Sequence, residues 1–439
     1  MEHRCRWGIT RRGIGVSVSI GSEVGPLEAV VIHSPGAEIE SMTPKTAHEV
    51  LYNDIIPIQV VRDEHLRLKQ FLSGICDVHE VSDLVGQAFE AEEAREVLVR
   101  RVCGAYWCRD REDELLALSP QDLAATLIGG LSVRNDSVTS YISRRQYDIP
   151  PLPNLYFMRD SSVVVRDKVV VGAMAFDVRS NEALLMNTVF GISPILANGG
   201  ILFDGTDSLR YVTADRRPGP ALRIEGGDVL VVRPDLLMVG ISERTSSTAI
   251  DLLMTRVAEA WTEPIRVIAV VLPEERSTIH LDMIFTMIDR EAALIYEPHV
   301  TGAGHVEVLS IELSPGQEPR IVPEEGIIPA LARAGMPLET VACGGSDDVV
   351  RQREQWLSGN NVFAIGPGKI VGYDCNEATM DALDAAGFVI RPIEGFIEGN
   401  DRVDRYERLF VAMPGINLAR GGGGPRCMTL PIRRAPLSS

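Results

Sequence analysis

Cys427 ends the run LARGGGGPRC (418–427), in which four consecutive glycines and a proline lead into the short apolar stretch MTLPI. Glycine at that density leaves backbone free to bend around a ligand and to offer it N–H groups. A thiol attacks only as its thiolate, and the flanking cations Arg420 and Arg426 are expected to favour that form at Cys427. The rival reading is a phosphate-binding loop. No GK[ST] follows the glycines and no dinucleotide fingerprint surrounds them.

Three other segments carry groups that could serve such a nucleophile. In RIEGGDVLVV, Glu225 and Asp228 flank two glycines just before an apolar strand. The acids are either aimed into a cleft or solvated at a hairpin turn. STIHLDMIFTMID reads as a strand, whose alternation sets His280 and Asp282 on one face. An imidazole and a carboxylate among apolar side chains are costly unless they serve each other or a ligand, a satisfied core histidine being the alternative. PLPNLYFMRDSS contributes Asn154, Phe157 and Asp160, where an Asp beside an Arg is ordinarily a surface pair or a turn cap.

One thiol, one imidazole and three or four carboxylates together suit attack on a guanidinium. Carboxylates grip its planar donor fork and fix the central carbon before the thiolate. His280 would protonate the departing nitrogen so that ammonia leaves, then activate water against the covalent thiouronium. Such chemistry requires no metal or organic cofactor, and no metal-ligand spacing is present.

The elements that must hold these groups are legible as alternating strands and helices. Val- and Ile-rich runs recur between turn signals at AVVIHSPG, SVVVRDKVVVG, VLVVRPDLLMVGIS, IRVIAVVLP, AALIYEP and GKIVGYD. Helical stretches such as SSTAIDLLMTRVAEAWT and ATMDALDAAG lie between them, which predicts an α/β fold. From Ser82 to Asn135 the apolar spacing is helical with almost no strand signal, and Ser119 with Asp122 reads as a helix start. That stretch, 82–135, is expected to be a small helical subdomain inserted between 1–81 and 136–439.

Composition narrows the partners. Forty-three basic against 61 acidic side chains, a formal charge of −18, argue against nucleic acid or anionic membranes as partners. Seven scattered cysteines form no CxxC pair, which favours free thiols in a reducing compartment. The basic N-terminus MEHRCRWGITRRGIG lacks an apolar signal core, so the chain is read as cytoplasmic.

In this order, SEVGPLEAVVIHSPGAEIESMTP, LYNDIIPIQVVRDEH, NLYFMRD, EGGDVL, SERT, HLDMIFTMID, REQWLSGNNVFAI and GGGGPRCMTLPI resemble the arginine deiminase family of guanidino-group-modifying enzymes. The resemblance implies a five-bladed α/β propeller, that is five ββαβ units around a pseudo-fivefold axis, with a helical insertion. It implies hydrolysis of L-arginine to L-citrulline and ammonia by a homo-oligomer, dimer or tetramer. On matching positions Cys427 is the nucleophile, His280 the acid and base, and Glu225 the carboxylate that orients His280. Asp160 and Asp282 hold the guanidinium. Arg179 (in DVRSNEALL) and Arg244 bind the substrate carboxylate, while Asn154, Phe157, Asp228 and Met42 complete the substrate site. Two positions depart from the family: Asn53 replaces the first Asp of a DD pair, and Gly422 stands where some members have arginine. The alternatives are an amidinotransferase, a deiminase of another guanidino compound in biosynthesis, and a non-catalytic binding protein.

Overall fold

The computed structural model describes residues 17–437 except Lys45, Asn53, 194–195, 197–198 and 208–219. Cys5 and Asn53 therefore lie outside the described residues. Every Val/Ile run named above forms a strand. SVVVRDKVVVG folds as a hairpin of Ser162–Val165 and Lys168–Val171, turned at Arg166, which adopts a left-handed φ of 54°. VLVVRPDLLMVGIS gives a second hairpin, Val229–Arg233 with Leu236–Ile241.

The architecture is mixed α/β with open sheets. Five sheets of three to five strands and one two-stranded ribbon are present among the described residues. A pattern recurs in them: an antiparallel pair, a connection containing helix, then a strand parallel to the second member of the pair. Helix Ser180–Ile192 carries the first hairpin to Ile201–Asp204, and helix Ser247–Ala260 carries the second to Ile265–Val271. The same arrangement joins Phe285–Asp289 and Ala292–Ile295 to Glu339–Ala342, and Phe363–Gly366 and Lys369–Tyr373 to Leu409–Met413. In the remaining sheet Leu27–Ile32 lies antiparallel to Leu430–Arg434 and parallel to Asp77–Glu80, so the last strand, just after Cys427, is tied to the first.

Between residues 81 and 129 the chain is helical: Val81–Ala88, Glu92–Ala105, Glu112–Leu116 and Pro120–Gly129. Ser119 caps the last of these, its hydroxyl accepting from Asp122 N–H at 3.1 Å. Leu84, Leu98, Val102 and Leu127 bury themselves in the same hydrophobic cluster as Val163, Val170 and Leu185 of the neighbouring sheet and helix. Their apolar spacing is what docks these helices there. No helix among the described residues is long and apolar enough to cross a membrane.

Candidate active site

The backbone of Cys427 is pinned on both sides. Cys427 N–H donates to Asn361 Oδ1 at 3.0 Å, and its carbonyl accepts from Arg159 N–H at 3.0 Å. The glycines ahead of it are there for close approach: a Cβ at Gly423 would lie 2.5 Å from the Phe157 ring. In EGGD the same logic decides between the two readings of the sequence. Gly226–Asp228 is a buried 3-10 turn, and a Cβ at Gly227 would sit 2.5 Å from His280 Nδ1. The glycine lets the imidazole lie flat against backbone, and both acids are fully buried.

STIHLDMIFTMID is not one strand. His280 is extended, Leu281–Met283 forms a 3-10 turn, and the strand starts only at Phe285. Side chains replace the missing ladder: Asp228 Oδ1 accepts from Leu281 N–H at 2.9 Å, and the Asn360 carbonyl accepts from Thr286 Oγ1 at 2.8 Å. The turn nonetheless brings His280 and Asp282 to Cys427, since Asp282 Oδ2 is 3.8 Å from Sγ.

His280 Nε2 and Glu225 Oε2 share a hydrogen bond of 3.0 Å, and His280 Nδ1 lies 3.8 Å from Asp160 Oδ1. Burial alone would lower the imidazole pKa, but Asp160, Cys427, Glu225 and Asp228 outweigh it and hold His280 well above its ordinary value. Glu225 shows the converse. Burial would raise it, yet Arg244, His280 and Arg179 keep it far below the usual carboxylate range. Asp228, bonded to Ser242 Oγ at 2.6 Å and to Leu281 N–H, is pushed by burial up to about 6.

Arg179 is buried among three acids, with Nη2 also donating to the Asn154 carbonyl at 3.4 Å. It meets Asp160 Oδ2 at 2.7 Å, Glu182 at 2.7 Å and Glu225 at 3.8 Å. Arg244 reaches Glu225 at 3.5 Å and stacks on Phe176, 4.6 Å from the ring centre. A cavity of about 310 Å³ opens onto this cluster, lined by Asn154, Phe157, Asp160, Arg179, Arg244, His280 and Cys427. Seven of the eleven residues singled out from the sequence therefore share one wall. Glu225 and Asp282 stand behind it, Glu225 touching the lining residues His280, Arg244 and Arg179 and Asp282 lying beside Cys427. Two expectations need correction. Asp228 does not face the cavity, because its oxygens are committed to bracing the segment after His280. Met42 does not line the cavity; it is buried in the apolar cluster that also holds the lining residues Phe157 and Cys427.

A third correction concerns the arginines flanking Cys427. Arg420 pairs with Asp54 at the surface, and Arg426 is bound to Glu23 and Asp282, so neither cation is turned to the thiol. Burial instead pushes the Cys427 thiol up to about 12, Asp282 and Asp160 add to this, and His280 only partly offsets it. Iodoacetamide alkylation of Cys427 should accordingly keep accelerating up to about pH 10. A rate plateau reached near neutrality would mean that a thiolate already exists in the free protein.

Asp160, Glu225 and His280 offer ligand atoms within 4.8 Å of one another, a spacing compatible with a metal ion. The two acids among them, Asp160 and Glu225, meet the guanidinium of Arg179. The sequence left several contributors unnamed: Glu182, three residues after Arg179, Asn361, and Phe176, Glu243, Arg276 and Trp356 around the cavity. Asn361 and Trp356 fall inside the quoted segment REQWLSGNNVFAI. Glu182 falls inside DVRSNEALL and Glu243 inside SERT, whereas Phe176 and Arg276 had no signal beyond adjacency to quoted segments.

The chain matches the family model described as arginine deiminase over residues 48–434. Similar proteins include the arginine deiminase of Limosilactobacillus reuteri (strain DSM 20016), 30% identical over 441 residues, covering 96% of this chain and 98% of that protein. The arginine deiminase of Listeria monocytogenes serotype 4a (strain HCC23) is 28% identical over 437 residues, covering 96% and 98%. Among solved structures, an amidinotransferase of the saxitoxin biosynthetic pathway from Microseira wollei aligns with a TM-score of 0.51 at 14% identity, over 96% of this chain and 99% of that one. That likeness bears on the α/β fold alone.

Proposed function

This chain belongs to the arginine deiminase family, and from that premise we propose how its residues convert L-arginine and water to L-citrulline and ammonia. One observation carries the reading. Asp160 Oδ1, Asp282 Oδ1 and His280 Nδ1 are buried without a hydrogen-bond partner, and they belong to the three residues grouped around Cys427. Buried polar atoms left empty call for a ligand. Two acceptors and a proton carrier around a thiol are the complement of a guanidinium, which brings five N–H donors and an electrophilic carbon.

The substrate guanidinium displaces Arg179 from Asp160 and takes the free oxygens of Asp160 and Asp282. Its positive charge beside Sγ offsets the two carboxylates that hold the thiol protonated, so Sγ releases its proton to solvent as the substrate binds and the thiolate forms where its target is. Sulfur adds to the central carbon, and His280, held by Glu225, gives its proton to the departing nitrogen, which leaves as ammonia. The neutral imidazole then takes a proton from water, hydroxide adds to the thiouronium carbon, and the C–S bond breaks as the added hydroxyl gives up its proton to become the urea carbonyl, sulfur leaving as thiolate and regaining the proton it lost on substrate binding. Arg244 and the released Arg179 receive the α-carboxylate, beside Asn154 and Phe157.

The finer fold belongs to the same proposal. Five units are arranged around a pseudo-fivefold axis, with 82–135 inserted as a helical subdomain between 1–81 and 136–439; the recurring hairpin, connection and parallel strand support this. Cytoplasmic residence is supported by the free thiols of Cys76, Cys103, Cys108, Cys343, Cys375 and Cys427. Homo-oligomeric assembly completes the reading.

The test is an assay of citrulline and ammonia on the purified chain with L-arginine, agmatine and methylated arginines, with and without an amine acceptor. L-Arginine should be turned over without an acceptor. Transfer to the amine in place of hydrolysis would establish an amidinotransferase. Agmatine lacks the carboxylate that Arg179 and Arg244 receive, and its kcat/KM should fall by about a hundredfold or more, since truncating a buried charge pair costs ~2–5 kcal/mol. Equal use of agmatine would remove both arginines from carboxylate recognition.

A further inference from the structure

Arg426 adjoins the nucleophile in sequence, yet its side chain turns away from the cavity and is 1% exposed. Its guanidinium spends three N–H groups on three separate segments. Nη1 donates to Asp282 Oδ2 at 2.6 Å, Nε to Glu23 Oε2 at 3.1 Å, and Nη2 to the Val229 carbonyl at 3.2 Å. Glu23 is itself fixed, its Oε1 accepting from Val231 N–H at 3.3 Å and its N–H donating to the Val231 carbonyl at 2.8 Å. The bond to Asp282 occupies only Oδ2. Oδ1 is left buried and unpartnered, while Oδ2 stays 3.8 Å from Sγ.

We propose that Arg426, anchored by Glu23, is a positioning residue that holds the Asp282 carboxylate in a fixed orientation, with one oxygen bound and the other left for the substrate guanidinium. The inference rests on the reading of Asp282 as a guanidinium ligand. Two neighbouring buried arginines do not duplicate the role: Arg159 donates to the Thr429 carbonyl, and Arg434 to the carbonyls of Gly25 and Ala364. Burial draws Arg159 down to about 9 and Arg434 to about 10, whereas Glu23 and Asp282 overcome burial at Arg426 and raise it. A planar fork suits the task because it bridges two carboxylates in fixed geometry, which an ammonium cannot do. Since Arg426 precedes Cys427 directly, the backbone that delivers the nucleophile also delivers the clamp on its neighbouring acid.

The experiment compares Arg426→Met and Arg426→Lys with the parent enzyme in kcat and KM for L-arginine across pH, with melting temperatures as a control for folding. The anionic groups facing this position are Asp282 and Glu23, and those facing Cys427 are Asp282 and Asp160 with His280 opposing. Removing a cation makes every nearby acid easier to protonate, so the acid limb of kcat/KM should move up by about one pH unit or more in Arg426→Met. Its kcat should fall by about a hundredfold. In Arg426→Lys the charge remains, so the limb should stay in place, with kcat lowered about tenfold because one ammonium cannot span both acids. A purely structural role would lower activity equally at all pH values, and an unmoved acid limb in Arg426→Met would overturn the proposal. Should that variant fail to fold, parental kcat in Arg426→Lys would do the same. The parent assay run alongside separates either result from a failure of L-arginine as substrate.

Discussion

Cys427→Ser should release ammonia from L-arginine at least about ten-thousandfold more slowly than the parent enzyme, while still binding the amino acid. The change removes one sulfur in favour of one oxygen, at a position whose backbone bonds to Asn361 and Arg159 do not involve the side chain. What it removes chemically is large. The thiol is already pushed up to about 12 by burial and by Asp282, and an alcohol in the same surroundings ionises far less readily. Nor is a base at hand to help it, because the carboxylates around His280 favour its protonated form. Citrulline formation measures the loss, and calorimetric titration with L-arginine measures the retained binding. Turnover by the serine variant within tenfold of the parent would refute covalent catalysis at this residue.

The strands were legible because β-branched runs between turn signals leave little alternative, and the helices of 81–129 because their apolar spacing has one period. The site was legible as a set of residue types but less so as a shape. EGGD left turn and cleft equally open, since nothing in the letters says that Gly227 must make room for an imidazole from 53 residues further on, a separation that follows directly from the numbering. HLDMIF read as a strand because of its apolar content and length, and only the distant carboxylate of Asp228 and the Asn360 carbonyl explain why it turns. Arg426 was misjudged for a similar reason. A cation next to a cysteine in sequence looks like its partner, whereas the side chains diverge and the acid between them, Asp282, arrives from elsewhere in the chain. Asp228 and Met42 carried the right types for a substrate site but are committed to structure.

His280→Gln should lower kcat by about a hundred- to ten-thousandfold and, unlike Cys427→Ser, should leave the enzyme covalently loaded. The two halves of the reaction ask different things of the imidazole. Addition of sulfur is promoted by the substrate's own charge, and the basic amine nitrogen of the resulting tetrahedral adduct can take from solvent the proton that His280 would have given it. Hydrolysis instead requires neutral water to lose a proton as it attacks, and no other base is free to take it. Glu225, the nearest, is held low by Arg244, His280 and Arg179, and its oxygens are engaged by those three residues behind the cavity wall. Asp160 and Asp282 are engaged by the amidine nitrogens in the intermediate. Glutamine keeps a polar partner for Glu225 and fills much of the space, so the fold around Gly227 is disturbed little. The second step should therefore slow more than the first. Intact-mass measurement on the quenched variant should show an adduct equal to L-arginine less ammonia, absent when Cys427 is also replaced. Parental turnover in His280→Gln, or a variant that is slow but never accumulates the adduct, would move the water-activating role to another group and leave His280 as a ligand-orienting residue only.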